Sequence, residues 1–78
     1  MSLNDRLLRD LDFAMARAEK RHGQLPCAMT GLGVVSEEYY EVVHAFRSGE
    51  HHRMRAELVD LANAANRCIV ALDAGEWT

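Results

Sequence analysis

Long apolar runs, prolines and cysteines are all scarce in this 78-residue chain. No stretch approaches the roughly 20 apolar residues that a membrane-spanning helix needs. The N-terminal MSLNDRLLRD lacks the apolar centre of a signal peptide, so a reducing cytoplasm is the expected location. Two cysteines, Cys27 and Cys68, make no disulfide framework and no zinc motif. Both are expected to be small, partly buried side chains. The single proline, Pro26, falls inside GQLPCAMTG, which reads as a connection. There is no strand-like alternation, no internal repeat and no low-complexity segment. Positive charge is also thin: the net charge is −3 with the basic residues scattered, so nucleic acid and anionic membrane are disfavoured as partners.

What remains is helical periodicity. Leu7, Leu8, Leu11, Met15 and Ala18 recur at helical spacing from a start near Ser2 or Asn4, and Lys20-Arg21-His22 precede Gly23 as a C-terminal signature. A second helix is expected from about Thr30 to Arg47, closed where Gly49 takes the left-handed conformation. Its apolar stripe reads Val34, Val35, Tyr39, Val42, Val43 and Phe46. A third is expected from His51 to Asp73, ending before Gly75, with a stripe of Met54, Leu58, Leu61, Ala65, Cys68, Ile69 and Leu72. The sequence therefore predicts one all-α domain over residues 1–78: a short bundle of three helices in which the second and third form an antiparallel hairpin. A chain this small buries only roughly 60% of its unfolded surface. With 49% hydrophobic residues, it is expected to complete its core by homo-oligomerisation.

The segment SEEYYE, Ser36 to Glu41, places clustered negative charge beside that core. At about 100° per residue, Glu38 and Glu41 fall about 60° and 120° from the centre of the second stripe, on one side. Glu57 and Asp60 fall at the same two angles on the third helix. Each pair is spaced i, i+3, where like charges oppose helix formation. If the two helices pack antiparallel, with Ala45 and Ala64 letting the backbones approach, four carboxylates converge. Such a set needs a cation. Every donor is a carboxylate oxygen, which suits Mg2+, or Mn2+ in its place. Mg2+ keeps several waters and bridges carboxylates to phosphates.

Glu37-Glu38-Tyr39-Tyr40-Glu41, followed after a short helical hairpin by Glu57-Leu58-Val59-Asp60, resembles the EExxE…ExxD pattern of the MazG-like all-α nucleoside triphosphate pyrophosphohydrolases. It is similar to phosphoribosyl-ATP pyrophosphatase in the same region. The likeness runs from about Arg17 to Leu72. It implies hydrolysis of a nucleoside triphosphate between the α and β phosphates, with a housecleaning role in the nucleotide pool. It further implies Glu38, Glu41, Glu57 and Asp60 as Mg2+ ligands, Glu37 as a further ligand or holder of the attacking water, and a homodimer or dimer-derived tetramer. Tyr40 stands where a glycine is common in that family, and a fourth helix found in many relatives is expected to be missing or brief.

Lys20, Arg21 and Arg67 are candidates to contact the triphosphate, and Asn63 or Asn66 to read a base edge or ribose. Trp77 is a candidate interface anchor. Two other readings compete. Glu41-Val42-Val43-His44 has the ExxH spacing of carboxylate-bridged di-iron bundles, while His51 and His52 read as solvated turn residues. A non-catalytic helical adaptor could instead use the same fold to bind a partner through its apolar surface.

Overall fold

The computed structural model describes residues 3–23 and 25–77, without the side chains of Leu3 and His22. Ser2 and Gln24, which belong to the expected first helix and connection, lie outside the described residues. Among the described residues there are three helices and no strand: α1 (Leu3–His22), α2 (Ala28–Arg47) and α3 (His51–Asp73). The second helix starts two residues earlier than the periodicity indicates, directly after the Leu25–Cys27 stretch.

Two helices end by the same device. Gly49 (φ +72) and Gly75 (φ +73) sit in the left-handed region, which glycine adopts without a Cβ penalty. The Gly49 N–H donates to the Phe46 carbonyl at 3.2 Å and the Glu50 N–H to the Ala45 carbonyl at 2.9 Å. Gly75 and Glu76 repeat the pattern on Leu72 and Ala71 at 3.0 and 3.1 Å. This paired closure satisfies carbonyls that a helix end otherwise leaves orphaned.

Both α1 and α2 pack on α3, and the backbones of α1 and α2 stay apart from each other among the described residues. The shortest dimension of the molecule is 19 Å, about two helix diameters. It is a slab with α3 as its common floor. The α2–α3 seam is made of small residues: Gly31, Val42 and Ala45 are buried on α2, and Val59, Ala64, Cys68 and Ala71 on α3. On α1 the buried residue is Ala14. An ion pair from Arg55 to Asp10 at 2.8 Å also ties α1 to α3.

The buried faces are rotated from the apolar stripes read in the sequence. Tyr39 and Phe46 on α2 are exposed, as are Leu58, Ala65, Ile69 and Leu72 on α3 and Leu7 and Leu8 on α1. The physical reason is steric. Close packing of α2 on α3 is set by the glycine and alanine positions, and three helices cannot cover the larger side chains that flank them.

Trp77, the candidate interface anchor, is half-buried against its own chain. Its indole N–H donates to the Leu25 carbonyl at 3.1 Å, and its ring edge covers Gly31, where an added Cβ would stand 2.5 Å from Trp77 Cη2 and 3.0 Å from Cys68 Sγ. The turn after α3 thereby clasps the α1–α2 connection. We predict that Gly31→Ala evicts the ring. The emission of this sole tryptophan shifts to the red, while stability changes by no more than about 1 kcal/mol, because alanine's better helix propensity offsets the lost contact. Unchanged emission would contradict the clasp.

Candidate metal centre and cavity

Rotation of the packed faces toward the small residues carries the acidic positions with it. Glu38 on α2 and Glu57 and Asp60 on α3 are all half-buried, and one carboxylate oxygen from each lies within 4.8 Å of the other two. Glu41, expected as a fourth member, is half-buried as well but stands outside this close set. Its charge still acts on Glu38. Glu57 is held from its far side by Arg53, at 3.2 Å, and Arg53 also reaches Glu50 at 3.2 Å.

Burial pushes the Glu38 carboxyl above its ordinary pKa, and the charges of Asp60, Glu57, Glu37 and Glu41 push it further the same way. Asp60 is raised by burial first and then by Glu57, with Arg17 pulling it back. Both shifts come from burial first and from neighbouring carboxylates second. The donor set fits a hard divalent ion. All three donors are carboxylate oxygens, the ligand type that Mg2+ takes. No histidine joins the set among the described residues, and His44 is exposed, so the di-iron spacing of Glu41 and His44 finds no counterpart here. His51 stacks on Phe46 with ring centroids 5.7 Å apart.

Because the backbones of α1 and α2 stay apart among the described residues, a groove opens between them above α3. It holds a cavity of about 500 Å3, within the range of small-molecule sites. Glu37, Glu38 and Thr30 line it from α2, Arg17 and Arg21 from α1, Asp60, Asn63 and Arg67 from α3, and Leu25 and Pro26 from the connection. Lys20 is exposed and is not part of the wall; nor are Tyr40, which is exposed, and Asn66, whose Nδ2 faces Met15 Sδ at 3.4 Å. Asn63 is buried, with Nδ2 donating to the Ala14 carbonyl at 3.5 Å and Oδ1 unpartnered. Arg67 is buried and donates to the Gly23 carbonyl at 2.7 Å.

Arg17 and Thr30 were not singled out by the sequence reading. For Arg17 a signal existed: Ala14, Arg17, Ala18 and Arg21 share one face at i, i+3, i+4 and i+7, the small residues giving the clearance through which the arginines reach the groove.

No protein-family model, no curated protein and no solved structure matches the chain. The site therefore rests on its own geometry.

The cysteines divide. Cys68 is buried, as expected, but Cys27 is exposed, at the N-cap of α2 with its sulfur 3.3 Å from the Thr30 hydroxyl. That hydroxyl, and after it the Thr30 backbone N–H, lowers the Cys27 pKa. A thiol-specific disulfide reagent is expected to modify one thiol per chain rapidly and the second only on unfolding, with Thr30→Val slowing the first reaction. Equal rates for the two thiols would refute this.

Proposed function

We propose that the protein is a Mg2+-dependent nucleoside triphosphate pyrophosphohydrolase. The observation that carries this reading is the convergence of Glu38, Glu57 and Asp60 at one edge of a cavity whose other walls carry three arginines. Three carboxylates set against one ion pair, that of Glu57 with Arg53, leave a surplus of negative charge that calls for a divalent cation. Arg21 and Arg67, which have no carboxylate within ion-pair distance among the described residues, call for an anion that the same cation can bridge. A nucleoside polyphosphate meets both demands.

In this reading Glu38, Glu57 and Asp60 would hold Mg2+ or Mn2+, with Glu41 as a further candidate ligand. The bound ion would supply charge neutralisation for the phosphoanhydride. Glu37, on the cavity wall beside Glu38, orients a water and takes its proton as the water oxygen attacks phosphorus. The α–β bridging P–O bond breaks, the electron pair leaves with pyrophosphate, and the monophosphate keeps the new oxygen. Arg21 and Arg67, with Lys20 at the rim, complement the phosphates, and Asn63 offers the nucleotide a neutral amide.

The active form in this reading is a homodimer, or a tetramer built from it, formed on an antiparallel α2–α3 hairpin. Leu32, Tyr39 and Phe46 repeat every seven residues on α2, and Leu58, Ile69 and Leu72 share one face of α3; all six are exposed. The chain exposes 5749 Å2, against about 4,800 Å2 for a compact monomer of its mass. The excess is close to the roughly 800 Å2 that each partner contributes to a standard interface.

The test is product identity. Purified protein is given Mg2+ and a panel of nucleoside triphosphates, and pyrophosphate is separated from orthophosphate by chromatography. Monophosphate with pyrophosphate is the expected outcome. Orthophosphate with diphosphate would refute the assigned bond. No turnover, together with a silent calorimetric Mg2+ titration, would favour a helical adaptor.

A further inference from the structure

The connection between α1 and α2 has little backbone bonding of its own. Among the described residues no backbone-to-backbone hydrogen bond reaches Leu25 or Pro26, and proline brings no N–H. Two side chains, one on α3 and one in the turn beyond it, place this segment instead. Arg67 donates to the Gly23 carbonyl at 2.7 Å, and the Trp77 indole N–H donates to the Leu25 carbonyl at 3.1 Å. The Leu25 side chain is buried.

A second, smaller cavity of about 30 Å3 is lined by Glu19, Gly23 and Glu76 among others. Leu25 and Arg67 line this cavity and the large one alike, so they form a partition between the two. The groove lies between α1 and α2, and the connection that joins these helices closes it at one end. Trp77 is part of neither lining, yet it holds the partition by the Leu25 backbone. The acidic cluster is remote from this end. Asp60 lies seven residues from Arg67 on α3, and Glu38 seven from Gly31 on α2, each about 10 Å along the helix axis at about 1.5 Å per residue.

We infer that Trp77 is a positioning residue for the ligand cavity: seated over Gly31, it fixes the Leu25–Arg67 partition and so sets the affinity of the groove for its ligand without touching that ligand. That the ligand is a nucleotide rests on the proposed function, whereas the hold on the partition rests on the two hydrogen bonds and the shared wall alone. The reacting phosphates belong at the acidic cluster, away from the partition. Loosening the partition therefore weakens ground state and transition state alike, which raises KM and spares kcat.

Gly31→Ala, which evicts the ring, and Trp77→Phe, which keeps a ring over Gly31 but loses the N–H, test it with every proposed metal and phosphate ligand intact. With the nucleoside triphosphate that the parent turns over best, KM is expected to rise about tenfold in the first and about threefold in the second, with kcat and Mg2+ affinity within about twofold of the parent. A ring that served stability alone would instead lower the folded fraction, and kcat with it, at unchanged KM. Linkage gives a second readout, because a ligand that is weakened when the ring leaves must favour the seated ring by the same factor. In the parent, saturation with Mg2+ and the α,β-methylene analogue of that triphosphate should reduce acrylamide quenching of Trp77, which a ligand in the cavity cannot shield directly. Hydrogen exchange without metal or nucleotide reads the hold on the partition separately. The Gly23 N–H, bonded to the Glu19 carbonyl at 2.9 Å, should exchange faster in Gly31→Ala while the amides near Ala45 and Ala64 keep their rates. Pyrophosphate release with KM unchanged in both variants, or quenching indifferent to the analogue, overturns the inference and leaves the hydrolase reading standing. A parent that releases no pyrophosphate removes that reading and the KM effect with it, and exchange at Gly23 then decides by itself whether the ring holds the partition.

Discussion

Asp60→Asn is expected to abolish pyrophosphate release and, in metal-free buffer, to raise the melting temperature. The activity term is the larger. Removing one anionic ligand from a three-carboxylate cation site withdraws charge stabilisation of several kcal/mol, and at about 1.4 kcal/mol per decade the loss is about 10³-fold. Glu38→Gln should behave alike. The stability term has the opposite sign because Glu38 and Asp60 repel each other when no cation is present. Both folded pKa values lie above those of the unfolded chain, which are about 4. The folded state therefore holds its protons more tightly. The stability this contributes is fully present below the unfolded values and is lost as pH rises through the folded ones. The parent protein without metal should thus lose stability from pH 4 upward more steeply than Asp60→Asn. Saturating Mg2+ should restore it near neutrality, by about 2.7 kcal/mol at 100 times the dissociation constant. Thermal melts at several pH values, with Mg2+ or with chelator, read all of these signs. A melting temperature indifferent to both Mg2+ and the substitution would remove the metal site.

The other large effect concerns the exposed apolar face. Leu58→Glu, and separately Leu32→Glu, should convert an assembly whose mass is a multiple of 8.8 kDa into the single chain. Each leucine buried against a partner is worth about 1.5–3 kcal/mol, and a twofold interface presents every residue twice. The dissociation constant should rise by about 10²-fold or more. Sedimentation equilibrium decides the matter. A parent protein that sediments at 8.8 kDa throughout the micromolar range would refute the assembly, and the exposed leucines would then need another partner.

The helices were legible because their punctuation is chemical. His51 and Asp73 bound α3 as periodicity indicates, and Gly49 closes α2 in the left-handed conformation. The acidic cluster was legible too, because i, i+3 spacing projects side chains predictably. What sequence could not convey was which part of each apolar stripe its own chain covers. Hydrophobicity weights Tyr39, Phe46 and Leu58 most heavily, yet all three are exposed, whereas Ala45 and Ala64, read in the sequence as the positions of close approach, are buried together with Gly31. The same blindness misplaced Glu41, which belongs to the cluster by spacing and stands outside it by helix rotation. It also hid Arg17, whose role depends on a groove that exists only because α1 and α2 fail to meet. The clasp of Trp77 over Gly31 joins residues 46 positions apart, and no local pattern encodes it.

The alanines of the α2–α3 seam have one more implication. Ala45 and Ala64 are each 2% exposed, and Ala64 also lines the cavity near Asp60. Their methyl groups lie between two helices that carry the clustered carboxylates, so the gap in which the proposed cation would sit is set by residues that bear no charge. Mutational drift at these positions is consequently one-sided. Glycine would leave the gauge nearly unchanged, whereas any larger residue would widen it and silence the centre with every acidic side chain still in place. A descendant of this protein could lose its chemistry through Ala64→Leu and still display the whole acidic motif.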